Sequence, residues 1–138
     1  MRVVLCGAGH IGAVHAANLA ASDRVSELVV ADLDTARAAE LASSTGARAA
    51  TPDEAFMLGP DAVVIAAPTP AHAGLVRRSI AAGIPCFCEK PLSGELDETV
   101  ALVREVEAAG ATVQVGFMRR FDAGIRALRG MIERGELG

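Results

Sequence analysis

The sequence has no tryptophan, no tyrosine and a single lysine, and each shortage closes off a kind of function. Its aromatic residues are four phenylalanines, 3% of the chain, too few for the stacking platforms on which single-stranded nucleic acids lie. Seventeen acidic against thirteen basic residues leave a net charge of −4, so there is no positive field for the phosphates of a duplex. No nucleic-acid partner is expected. Cysteine is scarce too: Cys6, Cys86 and Cys88 all fall in segments that read as strands. Cys86 and Cys88, two apart, share a strand face, but no further Cys or His is spaced to complete a metal site. Reduced core thiols and no metal are expected. The uncharged residues 62–76 are interrupted by Pro68 and Pro70 and fall short of a bilayer span. Met1-Arg2 leads directly into an apolar stretch too short for a signal peptide, which points to a cytoplasmic protein with no membrane segment.

What is present is a chain of 138 residues, 51% of them hydrophobic, enough for one domain whose sheet is covered on both faces. Its opening is the most informative part. Val3-Val4-Leu5-Cys6 reads as a buried strand, Gly7-Ala8-Gly9-His10-Ile11-Gly12 as a glycine turn entering a helix, and Val29-Val30-Ala31-Asp32 as a second strand ending in a carboxylate. That is the dinucleotide-binding fingerprint. Gly7 allows the tight turn. Gly9 lets the backbone approach a pyrophosphate, whose charge is met by the N–H groups of the helix starting near His10. Gly12 lets that helix lie close to the strand, and Asp32 is placed to accept hydrogen bonds from both hydroxyls of an adenosine ribose. A carboxylate there repels a 2′-phosphate, which favours NAD over NADP; Arg37 is the one nearby cation that argues otherwise. A similar turn and acid also hold S-adenosylmethionine, so that cofactor is the alternative at this point.

Strand and helix signals then alternate. A helix capped by Asp34 runs to Ser43, a short strand covers 47–50, and Thr51-Pro52-Asp53-Glu54 is a capping box ended by Gly59-Pro60. Residues 61–67 read as a central parallel strand. A helix follows to Ala82 with Thr69 as its cap and Pro70 as its first residue, then a strand at 84–88. A helix over 96–109 is expected to bury Leu96, Val100, Val103 and Val106; a sixth strand at 112–115 precedes a last helix with the stripe Phe121, Ile125, Leu128 and Ile132. The fold class is therefore α/β, a doubly wound parallel sheet of order 3-2-1-4-5-6, with the whole of residues 1–138 as one Rossmann domain. Ligand should sit outside the carboxyl ends of its strands.

At that edge Glu89-Lys90-Pro91 follows the fifth strand. Twelve of the thirteen basic residues are arginine, and Lys90 is the one ammonium, compact and able to release a proton. Glu89 either orients Lys90 or touches the cofactor, and a cis Lys90–Pro91 bond is compatible with the turn.

With these residues in view, the chain resembles the N-terminal half of the Gfo/Idh/MocA family of nicotinamide oxidoreductases. The matching pieces are Gly7-Ala8-Gly9-His10-Ile11-Gly12, Asp32, Ala67-Pro68-Thr69-Pro70-Ala71-His72 and Glu89-Lys90-Pro91, and the likeness covers the entire chain. Glu-Lys-Pro is absent from methyltransferases, which makes S-adenosylmethionine a minor reading. Gly116-Phe117-Met118-Arg119-Arg120-Phe121-Asp122 is most similar to the inositol dehydrogenase branch.

The resemblance implies that Lys90 hydrogen-bonds the substrate hydroxyl, while Ala66, Ala67, Pro68 and Thr69 line the nicotinamide end. His72 either touches the cofactor or makes a structural hydrogen bond. His15 is structural, and Arg119 faces a cyclic polyol unless it is a solvated cation. The family continues into a second domain whose Asp and His complete the catalytic group, and which this chain is expected to lack. Without tyrosine, the tyrosine–lysine pair of short-chain dehydrogenases is excluded. The reading is an NAD-binding half of an enzyme that transfers hydride from an inositol or sugar alcohol, with a polyol or sugar as partner and homo-oligomers allowed. A stand-alone, non-catalytic NAD-binding module is the alternative.

Overall fold

The computed structural model describes residues 1–137. Six strands and six helices alternate: β1 (Arg2–Cys6), α1 (His10–Ala20), β2 (Glu27–Ala31), α2 (Thr35–Thr45), β3 (Arg48–Ala50), α3 (Pro52–Met57), β4 (Ala62–Ile65), α4 (Thr69–Ala81), β5 (Cys86–Cys88), α5 (Leu96–Ala109), β6 (Val113–Val115) and α6 (Ala123–Glu133). A 3₁₀ turn, Met118–Phe121, joins β6 to α6. All pairings are parallel and the order is β3-β2-β1-β4-β5-β6, the doubly wound arrangement expected.

The hydrophobic pattern accounts for the two-sided sheet. Val4, Cys6, Val29, Val63, Ile65, Cys86 and Cys88 face one way, against Ala55 of α3, Ala73 and Val76 of α4 and Leu102 of α5. Val3, Leu5, Leu28 and Val30 face the other way, against Ala16 of α1 and Ala42 of α2. Right-handed crossovers dictate this division. The chain moves outward in one direction through β1, β2 and β3 and in the opposite direction through β4, β5 and β6, so the two sets of helices fall on opposite faces. The stretch Val3–Ser22 carries no Asp, Glu, Lys or Arg, yet the glycine turn divides it between β1 and α1. Among the described residues no helix is long and apolar enough to cross a membrane.

Several local expectations need correction. Thr69 does not cap α4: Pro68, at φ −58° and ψ 143°, is the N-cap, and Thr69 and Pro70 are the first two helical residues. The extended conformation required at a cap suits Pro68 as well as it would Thr69, so the helix gains one residue. The apolar stripe of α5 is also different. Leu96 is exposed and Val100 and Val103 are 40% and 41% exposed, whereas Leu102 is fully buried and Val106 packs beside the core. The side of α5 that faces the sheet is the one carrying Leu102 and Val106, four apart, and Arg77 on α4 bonds Glu98 and Glu105 beside it. The stripe of α6 exists, but it is exposed along its length, from Ile125 at 39% to Ile132 at 61%.

Candidate active site at the carboxyl edge of the sheet

Register brings the strand ends into one row. Ala50, Ala31, Cys6, Ile65, Cys88 and Val115 are successive neighbours across the sheet. The ladder continues one residue further through bonds from Gly7 N to Ala31 O, Ala66 N to Cys6 O, Glu89 N to Ile65 O and Gly116 N to Cys88 O, all 2.8–2.9 Å. Asp32, the Gly7 turn, Ala66, Glu89-Lys90 and Gly116 therefore stand along a single edge.

The glycines of the turn differ in what they make room for. Gly7 has φ +110°, and a Cβ there would lie 2.5 Å from the main chain of Ala66 and Ala67. A Cβ on Gly12 would lie 2.0 Å from the Gly7 carbonyl oxygen, so α1 can sit against the end of β1 only with glycine at that position. At Gly9 a Cβ would meet nothing within 4 Å; it would occupy open space at the mouth of the helix. No side chain caps α1 and no acidic residue stands in its first turn. Its first N–H groups and the positive end of its dipole are thus available to an anion, and the residues present fit a dinucleotide pyrophosphate. Ala8 is buried, while His10 and Ile11 are exposed at this mouth.

Asp32 is tied to the turn it serves. Its Oδ2 accepts from Ala8 N at 2.8 Å and its Oδ1 from Asp34 N at 2.9 Å, which leaves further lone pairs on each oxygen for ribose hydroxyls. Arg37 is held by Asp34 in an ion pair of 3.2 Å, and Asp34 also caps α2.

Glu89 points away from solvent. Its Oε1 lies 2.9 Å from His15 Nε2, and the side chain is 14% exposed. The His15 ring meets Phe87 edge-on, with centroids 5.3 Å apart. This pair is invisible in the chain, because 74 residues separate its members; the signal that exists is that Ile11 and His15 are one turn apart on α1 and share a face. Together with Val14, Phe87 and Phe117 they line an apolar cleft of about 350 Å³ between α1 and β5–β6.

Lys90 is exposed, directly after Glu89, and the Lys90–Pro91 bond is cis. Ala66, Ala67 and Thr69 are partly buried and Pro68 is exposed in the loop after β4. His72 must be corrected: it is 2% exposed, and its two ring nitrogens are engaged by the carbonyl oxygens of Ala67 and Pro91, so it has no surface to offer a cofactor. Arg119 is exposed on the 3₁₀ turn and lines a groove with Arg126 and Arg129 of α6, not the cleft beside Glu89. No cluster of three or more His, Cys, Asp or Glu able to hold a metal occurs among the described residues.

Burial pushes the thiols of Cys6 and Cys88 up to about 12 and raises that of Cys86 as well. All three are core groups without nucleophilic character.

Comparison with known proteins agrees with this geometry. Residues 1–117 match the family described as an oxidoreductase family with an NAD-binding Rossmann fold, Gfo/Idh/MocA. Inositol 2-dehydrogenase 3 of Saccharopolyspora erythraea is 40% identical over 143 aligned residues, which take in all of this chain and 42% of that protein. A myo-inositol dehydrogenase from Corynebacterium glutamicum superposes with a TM-score of 0.87 at 39% identity, over all of this chain and 42% of the other. A UDP-N-acetylglucosamine 3-dehydrogenase from Acidithiobacillus ferrooxidans does so with a TM-score of 0.82 at 32% identity, over 94% of this chain and 42% of the other. The chain thus spans about 42% of the length of such relatives. From the glycine turn, the strand order and these matches together, the chain is a member of the Gfo/Idh/MocA oxidoreductase family and carries its NAD-binding Rossmann fold.

Proposed function

We propose that residues 1–138 form the dinucleotide-binding domain of an enzyme that oxidises a secondary alcohol of an inositol or sugar to a ketone, with NAD as the hydride acceptor. The observation that carries this reading is the common edge on which the uncapped α1 N-terminus, Asp32 and Lys90 stand. Membership of an NAD-binding family sets aside S-adenosylmethionine.

In this reading the first N–H groups of α1, from His10 to Gly12, and the space over Gly9 hold the pyrophosphate, and Asp32 holds the ribose hydroxyls. NAD is preferred to NADP because Asp32 and Asp34 repel a 2′-phosphate while Arg37 is already paired to Asp34. Ala66, Ala67, Pro68 and Thr69 border the nicotinamide end. When bound, the nicotinamide supplies the acceptor for hydride. Lys90 Nζ donates to the substrate hydroxyl oxygen and stabilises the negative charge that develops as its proton leaves. Glu89, paired to His15, steadies the strand end beside Lys90. The named relatives favour an inositol. The third relative is a dehydrogenase of a nucleotide sugar, so a sugar stays within the class.

The test joins this chain to the second domain of an inositol 2-dehydrogenase and follows NADH formation with inositols, hexoses and UDP-N-acetylglucosamine. Inositol-dependent turnover should appear, and Lys90→Ala should lower it by about 10²-fold or more while NADH affinity stays within a few fold. Lys90→Arg should be nearly as damaging, since guanidinium differs in shape and keeps its proton. Near-normal turnover by the arginine variant would contradict the role given to Lys90.

A further inference from the structure

Two loops border the place of Lys90: that between β4 and α4, which contains Ala67, and that between β5 and α5, which contains Pro91. One side chain is bonded to both. His72, in the first turn of α4, is 2% exposed; its Nε2 lies 2.7 Å from the Ala67 carbonyl oxygen and its Nδ1 2.6 Å from the Pro91 carbonyl oxygen. No other side-chain bond joins these loops among the described residues.

Its location gives this ring leverage over the site. Ala67 opens the turn assigned above to the nicotinamide end, and Pro91 is the residue after Lys90, so the imidazole sets the distance between the two from a position that neither substrate nor cofactor can reach. The far side of the second loop is fixed separately, by Ser93 Oγ donating to Glu98 over 2.5 Å and accepting from Glu95 N over 3.1 Å. Between those anchors, the His72 bond is the side-chain tie that draws the loop after Lys90 toward the end of β4.

We propose that His72 is a positioning residue: its two ring bonds fix the Lys90 ammonium relative to the Ala67–Thr69 turn. The proposal rests on the functional reading above, in which that turn holds the nicotinamide end. Its consequence is selective. Loss of the ring bonds should disturb the Lys90 end of the site and leave the Asp32 end alone, because Asp32 and the glycine turn are held by their own bonds to Ala8 and Asp34.

The single lysine makes this measurable in the chain as it stands. Reductive methylation with ¹³C-formaldehyde labels Lys90 and the terminal amine, and a Lys90→Arg control identifies the Lys90 resonance. His72→Phe keeps a buried ring and deletes both ring nitrogens; His72→Gln retains a donor able to reach one carbonyl. In the folded variants, ADP-ribose affinity should stay within about twofold, while NADH affinity, through the Ala67–Thr69 turn and not through Lys90, falls about tenfold in His72→Phe and less in His72→Gln. The Lys90 resonance should move in both, and its response to NADH should be lost in His72→Phe. An unchanged resonance and NADH response in folded His72→Phe would overturn the proposal. So would a parallel loss of ADP-ribose affinity, or failure of both variants to fold, since either makes His72 a general support of the fold. If the unsubstituted chain binds neither NADH nor ADP-ribose, the functional reading fails, and the Lys90 resonance in the variants still decides whether His72 holds that loop.

Discussion

At the scale of single residues, the glycine turn separates fold from function more sharply than any other feature. Gly9 and Gly12 are three apart, but an added Cβ meets open space at Gly9 and backbone at 2.0 Å at Gly12. Gly12→Ala should therefore destabilise the chain by about 1–3 kcal/mol, read by urea unfolding, because neither α1 nor the Gly7 carbonyl can yield as a side chain would. Gly9→Ala, whose backbone at φ −79° is open to any residue, should unfold like the parent and bind NADH at least about tenfold more weakly, its methyl standing where the pyrophosphate approaches. Equal effects of the two on stability would contradict this packing. The cysteines give a second prediction. The thiols of Cys6 and Cys88 lie near 12 in the fold against 9 when exposed, so a thiol reagent at pH 8 should label none of the three until the chain is unfolded. A raised thiol is stabilising while protonated; stability should be intact below pH 9 and decline as pH rises from there toward 12. The need for glycine at positions 7 and 12 is legible in sequence, because the positive φ of Gly7 and the contact of Gly12 with the Gly7 carbonyl are local, whereas the closeness of Gly7 to Ala66 and Ala67 is known only from the fold. The role of His72 is not legible in sequence: its partners are five and nineteen residues away, and only the packed fold says that both ring nitrogens are taken.

At the scale of elements, α4 and α5 are locked by Arg77, which bonds Glu98 at 3.1 Å and Glu105 at 2.8 Å. Glu98 is held below the ordinary carboxylate range, first by the Ser93 hydroxyl and then by Arg77. A depressed carboxyl stabilises the fold above its unfolded value and ceases to do so as pH falls through its folded value. Glu98→Gln should lower the melting temperature at pH 7, and the difference from the parent should vanish as the pH drops below 4.5. A difference that persists in acid would assign the loss to packing. These contacts also mark where sequence stops informing on the elements. Periodicity locates the α5 helix over Leu96–Ala109 to the residue, but Leu102 and Val106 face a core made by residues far away in the chain, such as Val76 and Cys86, and local spacing does not name that side. The order of strands, by contrast, follows from crossover chirality and the alternation of apolar runs, both visible in the chain.

At the scale of the whole molecule, the crossovers that place α3, α4 and α5 on one face leave the opposite face of β5 and β6 without a helix of its own. Phe87 and the exposed Phe117 and Phe121 border the cleft there, and the stripe of α6 from Ile125 to Ile132 is exposed as well. An apolar surface of this kind should drive association of the isolated chain, with mass rising with concentration in light scattering; a strict monomer at high concentration would show the surface to be innocuous. The same chain should bind cofactor without turning over inositols or sugars: Glu89 is paired to His15 and His72 is enclosed between two carbonyls, and a general base is typically worth about 10²- to 10⁴-fold. The central claim is that this edge of the sheet is built for NAD, and a fluorescence titration of the 138-residue chain with NADH and NADPH tests it most directly. NADH should bind at least about tenfold more tightly than NADPH, and Asp32→Ala should weaken NADH by a similar factor and narrow the preference. Equal affinity for the two cofactors in the unsubstituted chain, or no binding of either, would contradict it.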